Sequence, residues 1–224
     1  MNTLLAKELA THQIDDTQVI RRVLSGEKEC FEVLMRRHNQ KLYRVIRSYL
    51  RDQDDIEDAM QDTYLKAFDK LDQFKGDAAF STWLIRIGIN EALLRLKRNK
   101  SRSLHASPVD LDDTTVIQMP DSDRTNPENM AIGNETRKLI ECAIDELPEM
   151  YRVIYVLKEV EGLDNAAISE CLGISDSNVK VRLHRTRALM KEALLRLSAD
   201  TRIFEFGNHR CDALVSAVMQ RIWK

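Results

Sequence analysis

The sequence predicts an all-α chain: two small helical domains joined by a flexible acidic linker, with a short C-terminal helical extension. Three observations carry that prediction. Only 7 Gly and 4 Pro occur among 224 residues rich in Leu, Ala, Arg, Lys and Glu, a balance that favours helix. Apolar residues recur at helical spacing in two blocks and never alternate for long in the manner of a strand. Between the blocks, from Ser101 to Asn126, the periodicity stops in a stretch rich in Ser, Asp, Thr and Pro.

In the first block, residues 16–102, Asp16 or Thr17 is placed to cap a helix bearing Val19, Ile20, Val23 and Leu24, which ends near Ser25-Gly26. A longer helix follows, with Phe31, Leu34, His38, Leu42, Val45, Ile46 and Tyr49 at helical spacing. A third runs from about Asp54 to Leu71, with Ile56, Ala59, Thr63, Ala67 and Leu71 near one face. Gly76 breaks the chain, and Phe80, Trp83, Leu84 and Ile87 open a fourth helix that continues into a basic stretch. The linker, 103–126, is longer than an ordinary loop. Pro127 then stands at the first position of a new helix, opening a second domain over 127–197. The extension, 198–224, carries Phe204 and Phe206, then Cys211, Leu214, Val215, Val218 and Ile222, an apolar anchor followed by an amphipathic helix.

A net charge of -2 argues at first against a nucleic-acid binder, but the charge is segregated. Arg86 to Arg102 holds six basic residues against Glu91, a net +5. Ser175 to Arg196 holds six against Asp176 and Glu192, a net +4, while Ser107 to Glu135 holds seven acids against Arg124, a net -6. Two basic stretches flanking an acidic connector point to two separate contacts with a polyanion. Cys30, Cys142, Cys171 and Cys211 lie far apart and read as isolated thiols in a reducing compartment. His209 and Cys211 have no further ligands nearby and read as packing residues. No apolar run approaches the ~20 residues that span a bilayer, and Met1 opens a polar segment rather than a signal peptide, so a cytoplasmic protein is expected.

The sharpest local pattern runs from Asp164 to Arg185. Asp164 caps a short helix bearing Ile168 and Leu172, Gly173 permits a tight turn, and Ser175 caps the next helix. Small Ser169, four residues before the glycine, lets the helices cross closely. This is a helix-turn-helix, whose second helix enters the major groove. At about 100° per residue, Val179, Leu183, Met190 and Leu194 form a buried stripe. Ser177, Val181, His184 and Ala188 lie opposite, flanked by Lys180, Arg182, Arg185 and Arg187. Small and polar groups thus meet the groove floor with cations over bases and phosphates.

The motifs around this element resemble the extracytoplasmic-function (ECF) sigma factors of bacterial RNA polymerase. Leu147-Pro148-Glu149 through Leu157, with Glu161-Gly162-Leu163, is similar to the lead-in to that family's -35 reader. Asp54 to Phe68, within which Glu57, Asp58, Ala59, Gln61, Asp62 and Leu65 fall, resembles its polymerase-docking helix. Phe74-Lys75-Gly76-Asp77, with Phe80, Thr82, Trp83, Leu84, Arg86, Ile87 and Asn90, resembles its -10 reading and melting segment.

The resemblance implies core RNA polymerase and promoter DNA, duplex at -35 and melted at -10, as partners. An anti-sigma factor is a further candidate that the residues do not identify. It implies docking through Asp55, Asp58, Gln61 and Asp62. It implies -10 contacts from Lys75, Trp83, Arg86, Asn90, Arg95, Lys97 and Arg98, with Asn90 at the place of an extruded base. Contacts at -35 would come from Ser175, Ser177, Lys180, Val181, Arg182, His184, Arg185 and Arg187. Blander readings stand beside these: an acidic helix start that answers the dipole, Trp83 as core, Asn90 as a local cap, the linker as a solvated tether. Ala167 and Ser169 depart from the family's frequent Glu and Ala, and Val181 and His184 are unusual at the groove, so its -35 preference does not transfer.

No phosphate-binding glycine loop or metal-ligand cluster supports an enzyme, and no cofactor is expected. A stand-alone DNA-binding regulator would need the helix-turn-helix but not the Trp83 to Asn90 segment or the Gln61 helix. A pure protein-interaction module would need neither DNA reader.

Overall fold

The computed structural model describes residues 14–103 and 127–199, and they form an all-α architecture. The acidic linker beyond Ser103, the apolar C-terminal extension and the pair His209 and Cys211 lie outside the described residues.

Helix α1 spans Asp16–Leu24 and is capped by Asp15, whose carboxylate accepts from the Gln18 amide at 2.7 Å. The cap therefore falls one residue before the expected pair. Asp16 is turned instead toward α2 (Phe31–Arg47), where His38 and Arg37 lie 2.7 and 3.0 Å away. The His38 hydrogen bond leads in holding the Asp16 carboxyl below its ordinary value, against burial. Asp52 caps α3 (Gln53–Asp69), and a loop through Lys75 and Gly76 leads to α4 (Phe80–Ser103).

Helices α2, α3 and α4 pack on one another, with α1 laid on α2. Leu34, Leu42, Val45, Ile46, Ile56, Ala67, Leu84 and Ile85 are essentially excluded from water, each large one stabilising by about 1.5–3 kcal/mol. Gly88 explains how α4 approaches α2 so closely. A Cβ there would sit 2.6 Å from the Leu42 side chain, which is itself fully buried. One further pair fixes the α3–α4 contact: buried Glu91 accepts from Lys66 at 2.6 Å.

The second region begins with α5 (Pro127–Glu146) and α6 (Glu149–Tyr155). A π-helical turn, Val156–Val160, follows and was not foreseen. It ends at Glu161, whose carboxylate is 3% exposed between Arg44 and Lys41 of α2. Helices α7 (Asn165–Leu172) and α8 (Asp176–Ala199) complete it, with α5, α6 and α7 all against α8.

The two regions share a core. Ile154, Leu157, Ile168, Cys171, Val179 and Leu183 join the same buried cluster as α2 and α4. The joint is polar at its rim. Arg152 is buried and donates to the Ser48 carbonyl at 3.1 Å and to the Leu147 carbonyl at 2.8 Å. Burial, followed by nearby Arg51, lowers its pKa to about 10. Asp145 is gripped by Arg47 at 2.7 Å and Arg51 at 2.6 Å. Burial pushes its carboxyl up, but these guanidiniums outweigh burial and hold it below the usual range. On the other side of the joint the Cys171 thiol donates to the Thr82 carbonyl at 3.6 Å, and burial pushes that thiol up to about 12. Cys30 is also buried and Cys142 exposed; none of the three is in a disulfide.

Candidate nucleic-acid interface

The helix-turn-helix is assembled by strictly local chemistry. Asp164 accepts from the Ala167 amide at 2.7 Å and starts α7. Gly173 takes the left-handed conformation at φ 63°, which a side chain would strain. Ser175 accepts from the Asn178 amide at 3.3 Å and so caps α8. Ser169 has a role not read from the sequence: its hydroxyl donates to the Ile174 carbonyl and ties the turn to α7.

Along α8, Val179, Leu183 and Met190 are buried and Leu194 is half-buried. Ser177, Lys180, Val181, His184, Arg185 and Ala188 are exposed together with Ser175, so the expected outer face exists as a surface. Val181 is 53% exposed, an apolar group with nothing above it among the described residues. Arg182 is half-buried and donates to Asn178 at 3.0 Å, one turn earlier. Asn178 was not singled out from the sequence, although its i,i+4 spacing to Arg182 is the signal. Arg187 is engaged sideways by Glu159 of the π turn at 2.9 Å.

The candidate melting segment sits at the start of α4. Trp83 is half-buried, its ring 5.4 Å from Phe74 and 5.7 Å from Phe80. Packing holds one side of the indole and leaves an edge open. Lys75 is exposed in the loop, and Asn90, Lys97 and Arg98 are exposed on α4. Arg86 is exposed as well and pairs with Glu170 of α7 at 3.2 Å, linking the two candidate readers.

Arg95 stands apart from its basic neighbours. Its side chain is 18% exposed and faces Asp55 at 3.0 Å, Asp58 at 2.6 Å and Asp62 at 3.9 Å. Asn99 adds a donor to Asp55 at 2.6 Å. One residue expected over phosphates and three expected at the polymerase therefore form a single charge cluster within the molecule. Gln61, on the same helix, is exposed.

Residues 34–102 match the Sigma-70 region 2 family and residues 137–190 match Sigma-70, region 4. The chain is 30% identical over 179 residues to the ECF RNA polymerase sigma-E factor of Escherichia coli (strain K12), covering 79% of this chain and 93% of that protein. The chain belongs to the ECF sigma factors. The RNA polymerase sigma-H factor of Pseudomonas aeruginosa is also 30% identical, over 184 residues, covering 81% of this chain and 95% of that one. Among solved structures, the sigma factor RpoE of Bartonella quintana, in complex with the anti-sigma factor NepR, superposes with a TM-score of 0.60 at 21% identity. That match covers 73% of this chain and 96% of the other. CnrH, in complex with the cytosolic domain of CnrY, gives 0.52 at 24% identity over 79% of this chain and 94% of the other. Both show the sigma-factor fold.

As an ECF sigma factor, the chain is a promoter-specificity subunit: it binds core RNA polymerase and promoter DNA to initiate transcription of a specific gene set. No helix among the described residues is long and apolar enough to cross a membrane.

Proposed function

We infer that this sigma factor divides promoter reading between α4 and α8, and docks on the polymerase through the exposed edge of α3. The observation that carries the reading is the pair of outward faces on rigid helices, Trp83 to Asn90 in region 2 and Ser175 to Arg185 in region 4. Asn90 offers one amide that both donates and accepts, the requirement for reading the edge of an unpaired base. Trp83 presents an aromatic edge where a base leaves the stack. Lys75, Arg86, Lys97 and Arg98 follow the phosphates of the opened strand, with Arg86 first leaving Glu170. Arg95 acts as a positioning residue that holds α3 on α4.

On α8, Ser175, Ser177, Val181 and His184 meet base edges, and Lys180, Arg182, Arg185 and Arg187 meet bases and phosphates. Val181 favours an apolar partner such as a thymine methyl. Asp55, Asp58, Gln61 and Asp62 form the docking edge, with Gln61 and the half-exposed Asp58 as its open members. The domain limits follow: 16–102 docks and reads -10, 103–126 links, 127–197 reads -35, and 198–224 is an extension. The protein has no catalytic site of its own and works in the cytoplasm beside the polymerase. An anti-sigma factor is a fitting regulator, since RpoE of Bartonella quintana is held by the anti-sigma factor NepR.

Run-off transcription with purified core polymerase and a promoter library tests the reading. Promoter-specific transcripts are expected; tight operator binding by the free chain with no such transcripts would refute it. Asn90→Ala is expected to slow open-complex formation by about tenfold or more while leaving polymerase affinity intact, the loss of one good base contact. Gln61→Lys should do the reverse.

A further inference from the structure

Helices α5, α6 and the far half of α8 wall an apolar groove of about 670 Å³, lined by Leu139, Ile140, Tyr155, Met190, Leu194 and Leu195. Leu195 is 60% exposed and Ile140 is 38% exposed, so among the described residues this face meets solvent. Glu159, Arg187 and Lys191 also line the groove, so charge stands beside its apolar side chains. It lies further along α8 than Ser175 to Arg185, sharing Arg187 with the proposed -35 contacts, and the α3 edge does not use it.

We propose that residues 211–222 of the same chain occupy this groove as a helix running antiparallel to α8. Three matches favour that occupant. Cys211, Leu214, Val215, Val218 and Ile222 fall at i, i+3, i+4, i+7 and i+11, one continuous stripe, with Ser216 and Gln220 opposite. The lining of α8 runs from Arg187 to Ser198, roughly 18 Å of helix, and residues 211–222 would span the same length at the same rise. Ser198 lies on the groove and α8 ends at Ala199, so the intervening residues 200–210 start at its mouth. An antiparallel helix starts beside Ser198, and these residues reach about 36 Å fully extended, more than that turn requires.

Tethering decides between this segment and the same segment of a second copy. A linker of about eleven residues gives millimolar effective concentration, far above that of a free molecule. The proposal stands on the groove and the tail alone and does not depend on how the chain reads promoters.

Hydrogen–deuterium exchange on the full chain tests it, compared with a peptide of residues 200–224. Amides of 212–222 should exchange at least about tenfold more slowly in the protein than in the peptide. Leu195→Glu in the groove and Val218→Glu in the tail should each abolish that protection. Ser216→Glu, on the solvent face, should keep it. Leu195 is exposed, so its variant should keep the wild-type circular dichroism. Unprotected tail amides in the wild type would overturn the proposal. So would protection that survives Leu195→Glu, which would place the tail elsewhere. Protection that rises with protein concentration alongside a dimer mass in light scattering would assign the groove to a second copy, and protection of Leu195 only on adding core polymerase would assign it to the enzyme.

Discussion

The basic stretches of α4 and α8 have similar net charge in the sequence and different fates in the fold. On α8, Lys180 and Arg185 are exposed beside small and apolar groups and face outward, while Arg187 and Arg196 form exposed pairs with Glu159 and Glu146. On α4, Arg95 is turned onto three aspartates of α3, Arg86 reaches Glu170, and the one acid of the stretch, Glu91, is taken by Lys66. A helix at the edge of its domain, such as α8, can leave a whole face exposed. One that must also hold a three-helix core and an aromatic wedge spends part of its charge inside the molecule. Counting cations along a chain therefore overstates the polyanion surface of the second kind of helix.

The strongest way to break this contrast is Arg95→Ala. With three carboxylates left facing one another on a half-buried surface, stability should fall by about 2 kcal/mol, discounted for the exposure of Asp58. Lys97→Ala should stay within about 0.5 kcal/mol. Thermal denaturation of the two variants separates them, and equal melting points would show that Arg95 is no positioning residue.

The complementary experiment removes charge from α8. Arg185→Ala should leave the melting temperature unchanged, weaken duplex -35 binding by about tenfold, and lower the slope of log affinity against log salt by about 1. An unchanged slope would take Arg185 off the phosphates.

Ser169→Ala comes next. Loss of its hydrogen bond to the Ile174 carbonyl should cost about 1 kcal/mol, read as a lower denaturant midpoint with unaltered promoter sequence preference.

The smallest effect is a titration. Asp145 has a folded pKa held below its ordinary 3.8, so its contribution is complete above about pH 4 and fades as pH falls through the folded value. Acid unfolding of Asp145→Asn should therefore be shallower below pH 4 than that of the wild type. Parallel curves would remove Asp145 from the joint's electrostatics.

What could be read in advance follows the range of the interactions. The helix-turn-helix was legible because Asp164, Gly173 and Ser175 act within four residues of themselves, and the 3.6-residue period sorted Val179 from Val181. The four helices of region 2 were legible for the same reason. Asp15 rather than Asp16 caps α1 because Asp16 is claimed by His38, 22 positions away. Arg95 finds Asp58 at a separation of 37, and Arg47 finds Asp145 at 98, and no local pattern announces either. The shared core was hidden too: residues that looked like the private interior of two domains, such as Leu42 and Ile168, belong to one cluster.

That single interior has a bearing on cooperativity. The region 2 half and the region 4 half are held by a common reservoir of burial, with Arg152 of one donating to Ser48 of the other. Heat should then melt them in one calorimetric transition, with the van't Hoff and measured enthalpies in agreement. A substitution that loosens α2 would be felt at the turn after α7, and evolution of one reader would be constrained by the packing of its neighbour.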